Sequence, residues 1–240
     1  MPEGYGLRPD RMIMERISVI IPVRGEEGRI KKTLHDLRAC DGGDQVEIIV
    51  VDGDEKGTTC RVINDSDVVA LRAPRGRGRQ MNAGATVAHG DILVFLHADT
   101  RLPRDAFESV RRVFRDTECA AGAFDLTIDA PGILFRIIER AATIRSRVTR
   151  IPYGDQCHVV RRTVFEQMSG YRDIPIMEDV DFMRRVRKGD GLVAFFGERV
   201  ITSARRWRKE GIIRCTLRNW FLMILYFMGA RPERLSRFYS

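Results

Sequence analysis

The chain has 240 residues, 44% hydrophobic and 31% charged, which suits one large α/β domain or two intimate halves and excludes a disordered polymer. Its formal net charge is +8, from 41 Lys and Arg against 33 Asp and Glu. That excess favours an anionic partner (nucleotide, anionic lipid surface or nucleic acid) as readily as plain solubility. Cys40, Cys60, Cys119, Cys157 and Cys215 are scattered without a CxxC pair, which points to free thiols in a reducing compartment.

Residues 1–15 are polar, carry Gly and Pro, and lack an apolar h-region, so they read as a flexible tail and not as a signal peptide. Ile17 to Ile21 is an apolar, β-branched run that stops at Pro22 and reads as a buried first strand. Ile30, Leu34 and Leu37 recur at helical spacing. Val46 to Val51 reads as a second buried strand ending at Asp52-Gly53, and Val68 to Leu71 as a short third. Gln80 to His89, rich in Ala and closed by Gly90, predicts a helix. The run Ile92 to Leu96 predicts a buried strand that delivers Asp99 at its C-terminal end, where open α/β sheets bind ligands. Strands alternating with helices imply a mostly parallel sheet.

Beyond Pro131 the texture changes. Ile133 to Val148 has helical period and is rich in Arg; Tyr153 to Gln156 is a polar turn; a short strand and a helix over Arg162 to Met168 follow. Ile176 to Asp181 opens another helix with carboxylates in its first turn, and Val193 to Phe196 reads as strand. Trp220 to Met228 is nine apolar residues preceded by Arg214 and Arg218. A bilayer-spanning helix needs about 20 such residues, so this one does not cross. Two readings stay open: an interfacial helix lying on an anionic membrane surface, or a helix packed onto the domain.

Four acidic points fall at loop or element ends: Asp52, Asp99, Asp155 and the Glu178-Asp179 pair. Asp52 and Asp99 follow strands of one sheet and can converge above its edge. A carboxylate such as Asp99, set beside a nucleotide diphosphate, suits Mg²⁺ or Mn²⁺; its plain alternative is a turn cap. Asp179 meets the needs of a general base on a rigid element, against the alternative of a helix-dipole partner shared with Glu178. Asp155 is otherwise an Asx-turn. Arg75 to Asn82, read as a loop between strand and helix, fails the dinucleotide fingerprint because Met81 stands at the third glycine. Its interleaved glycines and arginines fit a phosphate- or base-facing loop, or a solvated basic one. His97 beside Asp99 is placed for a phosphate or metal contact, or for packing, while His35, His89 and His158 are isolated. Nucleophile-elbow, HExxH and GxxxxGK[ST] motifs are lacking.

In this order the motifs resemble the inverting family 2 glycosyltransferases of the GT-A fold, from about Ile17 to the end of the chain. Ile17 to Glu27 is similar to the first strand and nucleotide-binding turn, with Pro22 and Glu26 on the donor side. Val50 to Gly53 resembles the strand end whose Asp, here Asp52, contacts the nucleobase; Gly78 to Gly84 resembles the Arg-Asn-Gly segment lining the nucleotide site, here Arg79 and Asn82. Leu96-His97-Ala98-Asp99 occupies the place of the metal-binding DxD, Met177-Glu178-Asp179 that of the ED motif, and Arg205-Arg206-Trp207 that of an Arg-Trp element found in processive relatives. A narrower likeness, to a bacterial subgroup named for arsenosugar biosynthesis, is carried by FLHADTRLP, YGDQ and MEDVD, and by an Arg-Trp followed by an Asn-Trp helix.

The resemblance implies a single GT-A type α/β domain over residues 16–210, with a nucleotide-binding half to about 130, an acceptor half from 131, and a C-terminal helical segment over 211–240. It implies a nucleotide-sugar donor, UDP-linked; Mn²⁺ or Mg²⁺ held by Asp99 on the diphosphate; and Asp179 taking the proton from an acceptor hydroxyl, with inversion. Arg79 and Asp52 would grip the nucleotide, with Asn82, His97 and Ala98 beside it. Asp155, Gln156, Glu178, Arg205 and Trp207 would face the sugar or acceptor. Lipid, small-metabolite and glycan acceptors remain open, nucleic acid is not expected, and the implied location is cytoplasmic or peripheral on the inner face of the cell membrane. The chain departs from the pattern at Gly25, where an Asn is usual, in a shortened Asp54-Glu55-Lys56-Gly57, and at His97, which replaces the first Asp of DxD. The rival readings are a nucleotidyltransferase of related fold and a non-catalytic basic module binding RNA or a membrane surface. Against the first, its loop Val23 to Gly28 is acidic and poor in glycine.

Overall fold

The apolar runs near the N-terminus fold as four parallel strands, β1 (Ile17–Val23), β2 (Glu47–Asp52), β3 (Val68–Arg72) and β4 (Ile92–Phe95). β1, β2 and β4 are covered on both faces, which is why their sequences read as continuous apolar runs without alternation. β1 runs through Pro22, which sits opposite Val51, and ends one residue later. The computed structural model describes residues 15–239; the tail expected over residues 1–15 lies outside these apart from Glu15, which meets Arg161 at 2.6 Å.

Helix α1 (Ile30–Arg38) buries Ile30, Leu34 and Leu37 as their spacing predicts. Helix α2 begins earlier than expected, at Arg77, and ends at Val87. The stretch 75–82 is therefore not a loop. Gly76, at φ 139°, makes the turn, and the arginines and glycines after it are already helical. Gly84 lets α2 lie close on β1, since a Cβ there would stand 2.5 Å from Ile20 Cγ2.

The sheet continues past β4 with β6 (Cys119–Asp129), β7 (His158–Arg161), β8 (Leu192–Ser203) and the short β5 (Thr100–Arg101), in the order β3-β2-β1-β4-β7-β6-β8-β5. β7 runs antiparallel to β4 and β6, β8 lies parallel to β6, and β5 is antiparallel to β8. The mostly parallel expectation holds. β6 and helix α3 (Ala106–Phe114) have no counterpart among the predicted elements. β6 opens on the small residues Ala120 to Ala123 and is buried on both faces, so it shows neither alternation nor a β-branched run. Although β6 precedes the expected half-boundary near 130, it lies between β7 and β8.

The remaining helices are α4 (Ile133–Thr149), α5 (Arg162–Gln167), α6 (Glu178–Lys188), α7 (Arg205–Glu210), α8 (Ile212–Phe227) and α9 (Pro232–Leu235). β8 extends well beyond the predicted Val193 to Phe196 and hands its end directly to α7. With 16 residues α8 is about 24 Å long. Among the described residues no helix is long and apolar enough to cross a membrane.

Candidate active site

A cleft of about 830 Å³ opens at the C-terminal ends of β4 and β8, under α7 and α8 and beside the start of α6. Behind β4 the chain turns tightly, the Thr100 amide donating to the His97 carbonyl at 3.0 Å. Ala98 is buried, and its carbonyl accepts the Thr33 hydroxyl at 2.7 Å. His97 and Asp99 are thereby left to line the cleft. Asp99 is tied at its carbonyl to the Ser203 amide, and its Oδ2 lies 3.9 Å from Arg205 Nη2.

Asp179 enters from α6. Met177, in the left-handed region at φ 66°, sets the helix start so that Glu178 points inward and Asp179 into the cleft. Asp179 Oδ2 accepts the Gly154 amide at 2.7 Å and Oδ1 accepts the Val180 amide at 2.8 Å. Burial alone would push its carboxyl up. Arg77, His158 and these two amides outweigh burial and hold it below the ordinary Asp range, so it is ionised at neutral pH. Gly154 admits no side chain, because a Cβ would stand 3.1 Å from Asp179 Oδ2 and 3.2 Å from His97 Nε2. Burial, with Arg77 adding repulsion, pushes His97 down to about 3, so its ring is neutral.

Glu178 does not line this cleft. It is 2% exposed, its Oε1 meets Arg77 Nε at 2.6 Å, and its Oε2 is buried without a hydrogen-bond partner. Burial raises its carboxyl above the usual range against the pull of Arg77. Asp155 does line the cleft, pushed up to about 6 by burial, with Asp179 and Asp99 adding to the rise and Arg145 and Arg77 opposing it. Gln156, by contrast, is fully buried and structural. It donates to the Phe124 carbonyl and accepts from Ser146, Arg145 and the Tyr153 amide, which locks the turn carrying Asp155.

The expected nucleotide contacts divide. Asp52 is fully buried and does not reach the cleft; its carboxylate accepts the amides of Asp54, Thr59 and Cys60. Its effect is relayed: Thr59, fixed by Asp52, accepts the Glu26 amide, and Glu26 in turn accepts Arg205 Nη2 at 3.0 Å. Glu26 thus joins Arg205 and Asp99 at one edge of the site. Arg79 is turned away, in an exposed bidentate pair with Asp173, and Asn82 pins the backbone of Tyr171. Pro22 stays in the sheet against Val51. The guanidinium that reaches the cleft from this helix is Arg77. Two residues apart on a helix are about 200° apart in direction, so a start at Arg77 separates the two arginines.

Trp207 lines the cleft edge-on to Phe135 and donates from Nε1 to Thr216 at 3.3 Å. Sequence reasoning missed Arg206, Lys209 and Tyr239, which also line it; Arg206 stacks on Tyr239 and contacts its hydroxyl. Arg77→Met is expected to lower stability by about 3 kcal/mol, because Glu178 loses its partner at a buried site. Arg79→Met is expected to cost under about 1 kcal/mol, since its pair is exposed. Thermal unfolding of the two variants checks the contrast.

Among the described residues no group of three or more His, Cys, Asp and Glu donors converges. The cleft offers the Asp99 carboxylate and the neutral His97 imidazole. Such a sparse set fits Mn²⁺ or Mg²⁺ that takes its other ligands from phosphate oxygens and water.

Comparisons with known proteins bear on the family and the fold. The B. subtilis (strain 168) protein named "Probable glycosyltransferase YdaM" is 23% identical over 222 residues, covering 82% of this chain and 51% of its own length. The chain thus spans about half of that relative. The mannosyltransferase PcManGT from Pyrobaculum calidifontis, solved in complex with GDP-Man and Mn²⁺, superposes with a TM-score of 0.65 at 18% identity, over 96% of this chain and 70% of that one. S. aureus TarS residues 1–349 superpose with a TM-score of 0.62 at 14% identity, over 79% of this chain and 60% of that one. The sequence model of the family described as Glycosyl transferase family 2 matches residues 18–172, well over half of the chain, and the chain belongs to that family.

Proposed function

We propose that the protein moves a glycosyl group from a nucleotide-sugar donor to an acceptor hydroxyl, with inversion at the anomeric carbon. The observation that carries this reading is the pairing of Asp99, from the end of β4, with an ionised Asp179, from the start of α6, in one cleft. The neighbouring Glu178 is withdrawn into its ion pair. Asp179 takes the proton of the acceptor hydroxyl as its oxygen bonds to the anomeric carbon and the bond to the diphosphate breaks. With one base and no enzyme nucleophile, the configuration inverts. Arg205 and Arg206 offset the charge left on the departing nucleoside diphosphate. Mn²⁺ or Mg²⁺, held by Asp99 with His97 beside it, would add Lewis-acid stabilisation of that diphosphate. The subgroup likeness carried by residues 95–103, 153–156 and 177–181 belongs to the same reading, as does a reducing compartment, which the five free cysteines suit.

The base of the donor is proposed to be uracil; because PcManGT was solved with GDP-Man, GDP is the proper competitor. Calorimetric titration of UDP and of GDP, with and without Mn²⁺, tests the proposal. Metal-dependent binding of UDP that weakens at least about tenfold in Asp99→Ala is the expected result. Tighter binding of GDP would replace the base and leave the transfer chemistry standing. Absence of binding by either nucleotide, with and without metal, would remove the donor site and with it the proposed reaction.

A further inference from the structure

The charge of this chain is concentrated at one end. Residues 204–239 hold nine Lys and Arg against two Glu, which accounts for seven of the eight excess positive charges. Within this segment α8 is apolar on both sides. Its inner face buries Cys215, Leu222 and Met223, and with Asn219 the last two line the cleft. Its outer face shows Ile213, Leu217, Trp220, Phe221, Ile224 and Met228 to solvent, Trp220 at 57% and Met228 at 78% exposed.

These six recur at three- and four-residue steps and form one continuous stripe. A stripe of this kind on a soluble helix normally faces a core, so its exposure marks a contact surface. Its borders are cationic. Lys209 and Arg214 stand exposed at one end, and Arg231, Arg234 and Arg237 at the other, where Phe238 is 63% exposed.

We propose that the outer face of α8 lies in the headgroup–acyl boundary of an anionic lipid bilayer, parallel to the membrane plane. A helix of about 24 Å is too short to span a hydrocarbon core of about 30 Å, but one with aromatic and aliphatic residues bordered by arginines suits the interface. The charge decides between occupants. A two-fold pairing of copies through this face would set two strongly cationic surfaces against each other, whereas an anionic leaflet complements them. Because the inner face of the same helix lines the cleft, docking brings the cleft to the lipid–water boundary. This inference goes beyond the transfer reading and stands without it.

Flotation of the full chain with vesicles of phosphatidylcholine, alone or mixed with phosphatidylglycerol, tests it. The expected result is binding to the mixed vesicles only, weakened by salt. Substituting Trp220, Phe221 and Ile224 together by Ser is expected to weaken that binding by more than about tenfold; all three side chains are exposed, so the fold should persist. A control pair on α4, Ile137→Ser with Ile144→Ser, removes two exposed apolar side chains from another helix and is expected to leave binding unchanged. Equal binding by the triple variant, or no binding to mixed vesicles, would overturn the proposal. A dimer in solution that the triple variant abolishes would do so too, by assigning the face to a second copy. The nucleotide titration reads the cleft separately, so failure of either proposal is distinguishable from failure of the other.

Discussion

Asp179→Asn is expected to lower turnover by about 10²–10⁴-fold while leaving nucleotide affinity within about threefold. The substitution removes the charge proposed to take the acceptor proton but keeps an oxygen where Gly154 donates, so the turn carrying Asp155 should hold its place. Measuring turnover against the binding constant separates the roles of the two carboxylates. Asp99→Ala should fail first in binding, and Asp179→Asn in turnover alone. A variant with normal turnover would mean that another group, with Asp155 the nearest candidate, removes the proton. The low pKa of Asp179 in the free protein is consistent with its task. A base that must be ionised before the acceptor arrives is served by Arg77 and two backbone amides, which secure its charge against burial.

The wild-type cleft is organised from its periphery inward. Asp52 never touches the cleft, yet it fixes Thr59, which fixes the Glu26 backbone, and Glu26 holds the Arg205 guanidinium near Asp99. Gln156 acts alike on the other side, bracing the turn that presents Gly154 to Asp179. Such supports are what keep a small set of charged groups at usable geometry. They also explain why a motif can mark the right region while naming a residue that is not in contact with the site.

The parallel strands of the N-terminal part of the sheet were legible because fully covered strands leave long apolar runs, and β1, β2 and β4 all have them. Asp99 and Asp179 were legible for a related reason: one ends such a run, and the other opens a helix with strong period. β6 was not, because its small residues fill a space set by neighbours such as Phe196, which would lie 3.0 Å from a Cβ on Gly122. That constraint is tertiary and leaves no local pattern. The exchange of Arg79 for Arg77 has a local origin. A helix start misplaced by three residues rotates every direction read from it, and the positive φ of Gly76 marks where α2 begins. Arg206, Lys209 and Tyr239 come from the C-terminal segment, whose return over the cleft depends on packing among Ile176, Leu222 and Leu235 and could not be read from spacing.

Asp155→Asn is expected to stabilise the protein in a pH-dependent way. The Asp155 carboxyl stands at about 6 in the folded chain, raised first by burial and further by Asp179 and Asp99, against about 3.9 when unfolded. The folded state therefore binds this proton more tightly. The stability it contributes is fully present below the unfolded value and is lost as pH rises through about 6. Above that, an ionised carboxylate sits in a half-buried turn beside two others, at a cost of about 3 kcal/mol; the pull of Arg145 is already in that balance. Replacing it by Asn should leave the unfolding temperature unchanged near pH 4 and raise it by about 6–12 °C near pH 8. Thermal unfolding at the two pH values gives the answer, and an equal shift at both would show that Asp155 does not carry a raised pKa. The companion reading is kinetic. On the proposed reading the two carboxylates divide the work: Asp179, held low, is the base, and Asp155, pushed up to about 6, orients a sugar hydroxyl. Asn keeps a carbonyl oxygen that can accept from a sugar hydroxyl, as the Asp155 carboxylate would above about pH 6, so turnover should fall by less than about tenfold, far short of the loss in Asp179→Asn. That ordering would assign proton removal to Asp179 and orientation to Asp155, and would give a reason for a destabilising carboxylate in the cleft.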